Sequence, residues 1–591
     1  MHSRTVRIVV GAVAAVVVIA GVATVVMWRQ PAAPRPRLPR TSIAVMPLAN
    51  LSSDPSQAYL APALHDALLT QITKVAALSV RPRAAVMGYA QAGGTLPEIA
   101  DALAVGTIVE GSVQVVGNRL RVNVQLIDPA TDSQVVVART DRNLDDAFAV
   151  QSEIVQRIAK AVGVTLTPAE SGAIAAAPTA NAQAYRLYLQ GRVLALRPDH
   201  LRPTVQSAQQ LYERALTLDP GFALAHAALS EVHGLMYSYD YDSSQSRAAS
   251  QREEAGTALR LAPGLPQAHF AMGMAYAMVH NGALNDLRQA RKDFEAAAEG
   301  LPGSADVWEA VGSLYQSLGD WRAWQPAYEK ATALDPNNVD LILHLGGNSF
   351  WLQHRFAEAV AATDRALALD RRRIWLKIAK AQLYVIWQGQ LDTMRAVLEH
   401  GPEDYGEKGT ALGWRVRLKL WERSPDVLLA LGPEPQRVIF ESEEAYEPAL
   451  LYAGWAHQLL GETGAAQFAF RRALDQLDSA SRGHSDDWRF HASRGLALAG
   501  MGQRPEAMRE ADWLRASALD LGAPWAASRR TSRALILAQA GLTDPALAEI
   551  ESLLAGSSWI VSVPMLRLDS RWDPIRHDPR FQALLSKYAG R

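Results

Sequence analysis

At 591 residues the chain has room for several domains and a large buried core. Lys and Arg number 59 against 60 Asp and Glu, and the net charge of -1 removes the footprint of a nucleic-acid-binding surface. The count of Cys is 0, which excludes a disulfide framework, a thiolate metal site and a cysteine nucleophile.

After a short tail, residues 1–7, the stretch "VVGAVAAVVVIAGVATVVM" lies inside an uncharged run of 21 residues between Arg7 and Arg29. As a helix that run would rise about 31 Å, near the ~30 Å hydrocarbon thickness of a bilayer, and it predicts a transmembrane anchor over 8–28. A cleaved signal peptide is the rival reading, with Gly21-Val22-Ala23 as the small-residue cleavage site. The run continues to Trp28, an interfacial residue followed by Arg29, which favours a retained anchor. Arg4 and Arg7 precede the run, while Arg29, Arg35, Arg37 and Arg40 follow it. Taken literally, the positive-inside bias places the body in the cytoplasm, whereas a short basic tail before a long apolar run also suits a signal-anchor. Residues 29–41 carry Pro31, Pro34, Pro36 and Pro39 and read as a stiff stalk.

From Ser42 the pattern mixes strands and helices. "SIAVMPLANL" predicts a buried strand, "SSDP" a turn, and the recurrence of Leu60, Leu64, Leu68 and Ile72 an amphipathic helix. A short strand at 78–80 and a helix at 96–103 follow. Two longer strands flank Gly117-Asn118, and in the second Leu120, Val122, Val124 and Leu126 alternate with Arg119, Arg121, Asn123 and Gln125. "SQVVVART" predicts a third strand, and Phe148, Ile154, Ile158 and Val162 a closing helix. Together these elements predict a small α/β domain over 42–166 with helices on one face of its sheet.

"SIAVMPLANLSSDPSQAYLAPALHDALLTQI" and "LPEIADALAVGTIVEGSVQVVGNRLRVNVQLIDPATDSQVV" resemble, in order, the TolB-like amino-terminal domain. The resemblance departs at Ala63, where relatives carry Gly. It implies a bacterial protein with one membrane span followed by tetratricopeptide repeats. In such relatives a winged-helix DNA-binding domain, an adenylate cyclase or a kinase precedes the span. Seven residues before the apolar run leave no room for one, so an effector is expected on another chain. The resemblance also implies an inner-membrane, single-pass placement with an extracytoplasmic, periplasmic body.

Residues 167–182 read as a small, polar linker, and 183–591 as helical. Leu218-Asp219-Pro220, Leu261-Ala262-Pro263, Gly300-Leu301-Pro302, Leu334-Asp335-Pro336 and Leu369-Asp370-Arg371 recur at offsets of 43, 39, 34 and 35. A two-helix unit near 34 residues is the tetratricopeptide period, and 183–591 would hold on the order of ten such pairs. With Ala305 as position one, Trp308, Gly312, Tyr315, Tyr328, Ala331 and Pro336 fall on signature positions. Gly312 is expected to let the two helices of its repeat approach, with Tyr328 and Ala331 filling the seam. Trp324 stands where a small residue is usual, which predicts wider or shifted packing there. Gly461, Gly502 and Gly541 mark later helix-to-helix turns, 371–438 is harder to register, and the final segment reads as a cap.

No catalytic, metal or cofactor signature is found: HExxH, GxxxxGK[ST] and GxSxG are absent. Asp240, Asp242 and Ser244 begin like a calcium loop, but Gly at the sixth place and Glu at the twelfth are missing. The family's groove positions, carried onto this register, select Gln267, Phe270, Met274 and Met278, then Asp306, Glu309, Ser313, Gln316 and Ser317, then Asp340, Leu343, Phe350 and Trp351. Phe270, Met274, Phe350 and Trp351 would make an apolar floor for a peptide; packing between repeats is the competing reading.

The expected fold class is therefore a small α/β TolB-like domain plus an all-α tetratricopeptide solenoid, with one N-terminal transmembrane helix. The expected function is a non-catalytic, membrane-anchored scaffold that binds another protein or peptide in the solenoid groove. The alternative is a receptor half that signals to a cyclase, kinase or transcription regulator on another chain. Neither cofactor nor nucleic acid is expected.

Overall fold

A computed structural model describes residues 38–590, apart from 132, 198, 240, 243, 278–283, 401–409, 431–437, 443–444, 483–485, 520, 557 and 559–560. Within them the chain builds a sheet with its helices, followed by a long succession of antiparallel helices.

The sheet holds β1 (Ser42–Val45), β2 (Ala49–Asn50), β3 (Ser79–Val80), β4 (Thr107–Val116), β5 (Arg119–Asp128) and β6 (Ser133–Asn143). Its order is β3-β1-β4-β5-β6, and β2 pairs with β4. β1 lies parallel to β3 and β4, while β4, β5 and β6 form an antiparallel meander. Alternation fixes the faces: Leu120, Val122, Val124 and Leu126 are buried, whereas Arg119, Arg121 and Asn123 are exposed. Helix Leu60–Ile72 lays Leu60, Leu64, Leu68 and Ile72 on that apolar face, beside helix Ala147–Ala161 with Ile154 and Ile158. Pro47 separates β1 from β2, so the apolar run from Ser42 gives two strands.

The helical region pairs Ala182–Ala195 with Arg202–Leu218, Ala223–Ser238 with Gln245–Leu261, Pro266–Ala277 with Leu284–Gly300, and Ala305–Leu318 with Trp321–Leu334. The next pair opens as a π-helix, Leu341–Gly347, continues as Asn348–Leu352 and returns as Phe356–Leu369. Further pairs run to Ala555, interrupted by a hairpin of β7 (Val438–Ser442) and β8 (Ala445–Pro448). Short helices from Val563 to Lys587 cover the last apolar face with Ile575, Phe581 and Leu585.

One expectation is corrected. No helix among the described residues is long and apolar enough to cross a membrane. The run 8–28, on which the transmembrane helix was placed, lies outside the described residues. The composite fold class with a membrane helix, the membrane partner and the inner-membrane placement therefore do not stand. An uncharged run of bilayer length meets a condition for spanning without establishing a helix.

Candidate functional site

The repeat 305–338 begins with local order. Ser304 caps its first helix by accepting from the Val307 amide at 3.4 Å, and Gly319, at φ 70°, ends it in the left-handed conformation. Most of its aromatic residues are then held by protein. The Trp308 indole donates to Pro302 O at 3.1 Å, and the Tyr315 hydroxyl donates to Glu295 at 2.7 Å. Trp324 is 0% exposed, stacks on Tyr328 at 5.2 Å, and meets Phe350 edge-on at 5.3 Å.

Trp324 also explains a departure in the seam. In earlier repeats a glycine of the first helix seats an aromatic ring of its own second helix: a Cβ on Gly191 or Gly273 would lie 2.5 Å from Tyr212 or Phe294. At Gly312, expected to play that part, the near neighbour is Leu345 of the next repeat. Tyr328, stacked on Trp324, instead fits against Gly346, where a Cβ would fall 2.4 Å from its hydroxyl. Gly346 sits in the π-helical segment, so the shifted packing passes into the following repeat.

The first helices of neighbouring repeats, Pro266–Ala277 and Ala305–Leu318, face a recess of about 350 Å³. Phe270, Met274, Asp306, Glu309, Ser313 and Ser317 all line it, six of the register-selected groove positions. Asp306 is reached by solvent yet walled by protein on most sides; desolvation pushes its carboxyl up, and Arg192 draws it partly back. Glu309 is pushed up to about 7, first by desolvation and then by the carboxylates of Asp306, Asp335 and Asp340. Two carboxylates beside Phe270 and Met274 suit a cation on an apolar stem, such as a Lys or Arg side chain.

The other register-selected residues are placed elsewhere. Gln267 is half-buried beside this region, with a buried Oε1 that has no partner among the described residues. Gln316 donates to Ser349 Oγ at 2.8 Å and so ties two repeats together. Asp340 is exposed and pairs with Arg373 at 2.5 Å. Leu343 is 3% exposed within the contact to the next helices, and Phe350 belongs to the Trp324 cluster with Arg355 over its ring. Trp351 lines a different cavity, formed with the C-terminal repeats. The structure thus does not bring Phe270, Met274, Phe350 and Trp351 into one floor. Met278 lies outside the described residues.

The sheet unit is tied to the early repeats at several points. Arg192 pairs with Asp66 of helix Leu60–Ile72 at 3.2 Å and with Glu231 at 2.9 Å. Arg81, 4% exposed, donates to Leu103 O at 2.6 Å and Ala104 O at 2.7 Å on the sheet side, and to Leu334 O at 2.5 Å on the solenoid. The Gly303 amide donates to Thr73 O at 2.9 Å, and Asn337 donates to Ala102 O. Sequence reasoning missed this clamp, because it is built largely on backbone carbonyls, which leave no mark in the side-chain pattern.

The acidic loop at Asp242 is also accounted for: its carboxylate accepts from Ser244 and Arg247, and Asp240 lies outside the described residues. His226, His233 and His491 contact Glu254, Arg247 and Glu510 respectively. No group of three or more His, Cys, Asp or Glu side chains among the described residues is placed to hold a metal ion.

Residues 305–338 match the family described as "Tetratricopeptide repeat". Over 202 residues the chain is 36% identical to "Putative adenylate cyclase 3" of Rhizobium meliloti (strain 1021), covering 34% of each protein. The chain thus spans about a third of that relative's length. Among solved structures, a tetratricopeptide repeat protein from Parabacteroides merdae is 14% identical, with a TM-score of 0.33, covering 54% of this chain and 100% of its own. YrrB, described as a TPR protein with an unusual peptide-binding site, is 14% identical with a TM-score of 0.25, covering 32% of this chain and 89% of its own.

Proposed function

We propose that the chain is a non-catalytic interaction scaffold whose recess at Phe270, Met274, Asp306, Glu309 and Ser313 receives a basic, partly apolar peptide segment. The observation that carries this reading is the convergence of the groove positions of two neighbouring repeats on one opening of about 350 Å³. The pair Asp306 and Glu309 supplies charge for a Lys or Arg head, and Phe270 with Met274 supplies surface for its stem. In this reading residues 42–166 are a TolB-like unit seated against the early repeats, 167–182 link it to the solenoid, and 183–591 form the solenoid with its cap.

A second reading, a regulatory body reporting to a cyclase, kinase or transcription regulator on another chain, draws on the 202-residue likeness to the cyclase-named relative. Binding would then have to favour one arrangement of the sheet unit and the solenoid over another.

A peptide array probed with the folded full chain tests the scaffold. Bound peptides are expected to be enriched in Lys or Arg next to an apolar residue, and Phe270→Ala is expected to abolish the enrichment. Binding of acidic peptides, or enrichment unchanged in Phe270→Ala, contradicts the reading. A cyclase, kinase or DNA-binding protein recovered by proximity labelling, and lost with Phe270→Ala, favours the regulatory body.

A further inference from the structure

The C-terminal repeats curl back onto earlier ones. Helix Ala305–Leu318 meets helix Ala523–Gln539, and helix Ile374–Gln388 meets helix Val563–Leu568. The second closure is tied by Ser562, whose hydroxyl donates to Ile386 O at 2.6 Å. Inside lies a cavity of about 500 Å³, joined through shared walls to an annex of about 40 Å³. That volume falls in the range of small-molecule sites, roughly 300–1,000 Å³.

Its walls combine aromatic faces with charges that are already matched. Trp351 and Trp414 are half-buried, and Trp488 is buried. Arg417 pairs with Glu447 at 3.2 Å, and Arg571 holds Asp569 at 2.7 and 3.0 Å. Burial pushes the Glu447 carboxyl up, but Arg417 and Arg571 outweigh it and hold the group below its ordinary range. Arg489 pairs with Asp487 at 2.6 Å. An anionic ligand would compete for guanidinium groups with the carboxylates already paired to them.

Neutral polar groups line the cavity as well. Asn348, Gln382 and Ser532 line the cavity, and their side chains have no hydrogen-bond partner among the described residues. Trp421, 7% exposed, lines the annex, and its indole N–H finds no acceptor among them. An unmatched buried donor is costly, so a ligand oxygen placed there is favoured.

We propose that this cavity binds a neutral saccharide, a mono- or disaccharide or the end of a glycan. A pyranose presents an apolar C–H face that stacks on an indole, and its rim of hydroxyls both donates and accepts. Those hydroxyls complement the amides of Asn348 and Gln382 and the hydroxyl of Ser532, and one can accept from Trp421. Trp351, Trp414 and Trp488 border one volume, with Arg417 over the Trp414 ring at 5.4 Å and Arg529 over the Trp488 ring at 5.8 Å, so Trp351 is the indole whose face the sugar is expected to use first. The site is separate from the Phe270 recess, and either can fail alone.

The test is a neutral-glycan array of glucans, galactans and N-acetylglucosamine oligomers, probed with the full chain. Titration calorimetry on the best binder follows, with ATP and the array-selected basic peptide as competitors. Saturable binding is expected, changing little between about 50 and 500 mM salt because no net charge is exchanged. Gln382→Ala is expected to weaken it about fivefold, the effect of one neutral hydrogen bond, and Trp351→Ala more than about tenfold. Thermal melts check that both variants remain folded, and Gln382→Ala carries the test if Trp351→Ala does not fold. The proposal is overturned if no neutral glycan binds, if folded Gln382→Ala binds as the parent does, or if ATP or the peptide displaces the glycan from the cavity.

Discussion

Glu309 sits where fold and function act on the same atoms. Its register position already placed it on the groove, because a helix returns a given face at regular intervals. Its altered acidity was not legible, since that depends first on burial and then, beside Asp306 on its own helix, on Asp335 and Asp340 brought up where the chain passes into the next repeat. Its folded pKa of about 7 lies above the ordinary 4.5, so the folded state holds the proton more tightly than the unfolded chain between those values. The stabilisation is complete below about 4.5 and is lost as pH rises through about 7. Urea unfolding between those limits should show stability falling with rising pH, and Glu309→Gln should flatten that slope and raise stability at pH 8. An unchanged slope in the variant would assign the titration to another group. Trp324 shows the complementary case: its bulk announced altered packing in the sequence, whereas the direction of the shift depended on the Tyr328 ring and Gly346.

Between elements, close approach decides the seams. Gly346 has no side chain where the Tyr328 hydroxyl needs the space, in the segment Leu341–Gly347 that winds as a π-helix. Gly346→Ala should destabilise the fold by about 1–3 kcal/mol through overpacking. Adding Tyr328→Leu should recover much of that loss, because it removes the clashing ring; a double-mutant cycle in urea measures the coupling. Additive losses would place the strain elsewhere. The strongest periodic segments were legible at this scale: the alternation of β5 and the apolar stripe of Leu60–Ile72 rest on local chemistry alone. Helix Arg83–Ala92 was missed because its small residues give a weak stripe, and the β7–β8 hairpin because it interrupts a region whose repeat register is faint. The same faintness hid the cavity, whose Trp351, Trp414 and Trp488 lie far apart in the chain and meet only when the repeats curl.

For the whole molecule, the seat of the sheet unit against the solenoid is the central arrangement, and Arg81 is its bolt. Arg81→Ala would leave the carbonyls of Leu103, Ala104 and Leu334 without their donor, a loss of about 3 kcal/mol by the usual cost of unmatched buried groups. Limited proteolysis should then cut between the two units sooner, while Arg83→Ala, which removes a single bond to Leu196 O, should have a smaller effect. Equal cutting rates in the two variants would show that Arg81 does not hold the seat. The 34-residue period told that repeats would stack, but not that the sheet unit would be tied to them, because stacking uses neighbours and the ties join distant segments. On the proposed reading, the recess beside Glu309 takes a basic peptide. Titration calorimetry with the array-selected basic peptide, at pH 6 and pH 8, measures it. With Glu309 titrating at about 7, the parent chain should bind about tenfold more tightly at pH 8, and Glu309→Gln should bind weakly at both. Binding by the parent that does not change with pH, or binding by Glu309→Gln equal to the parent at pH 8, would contradict it.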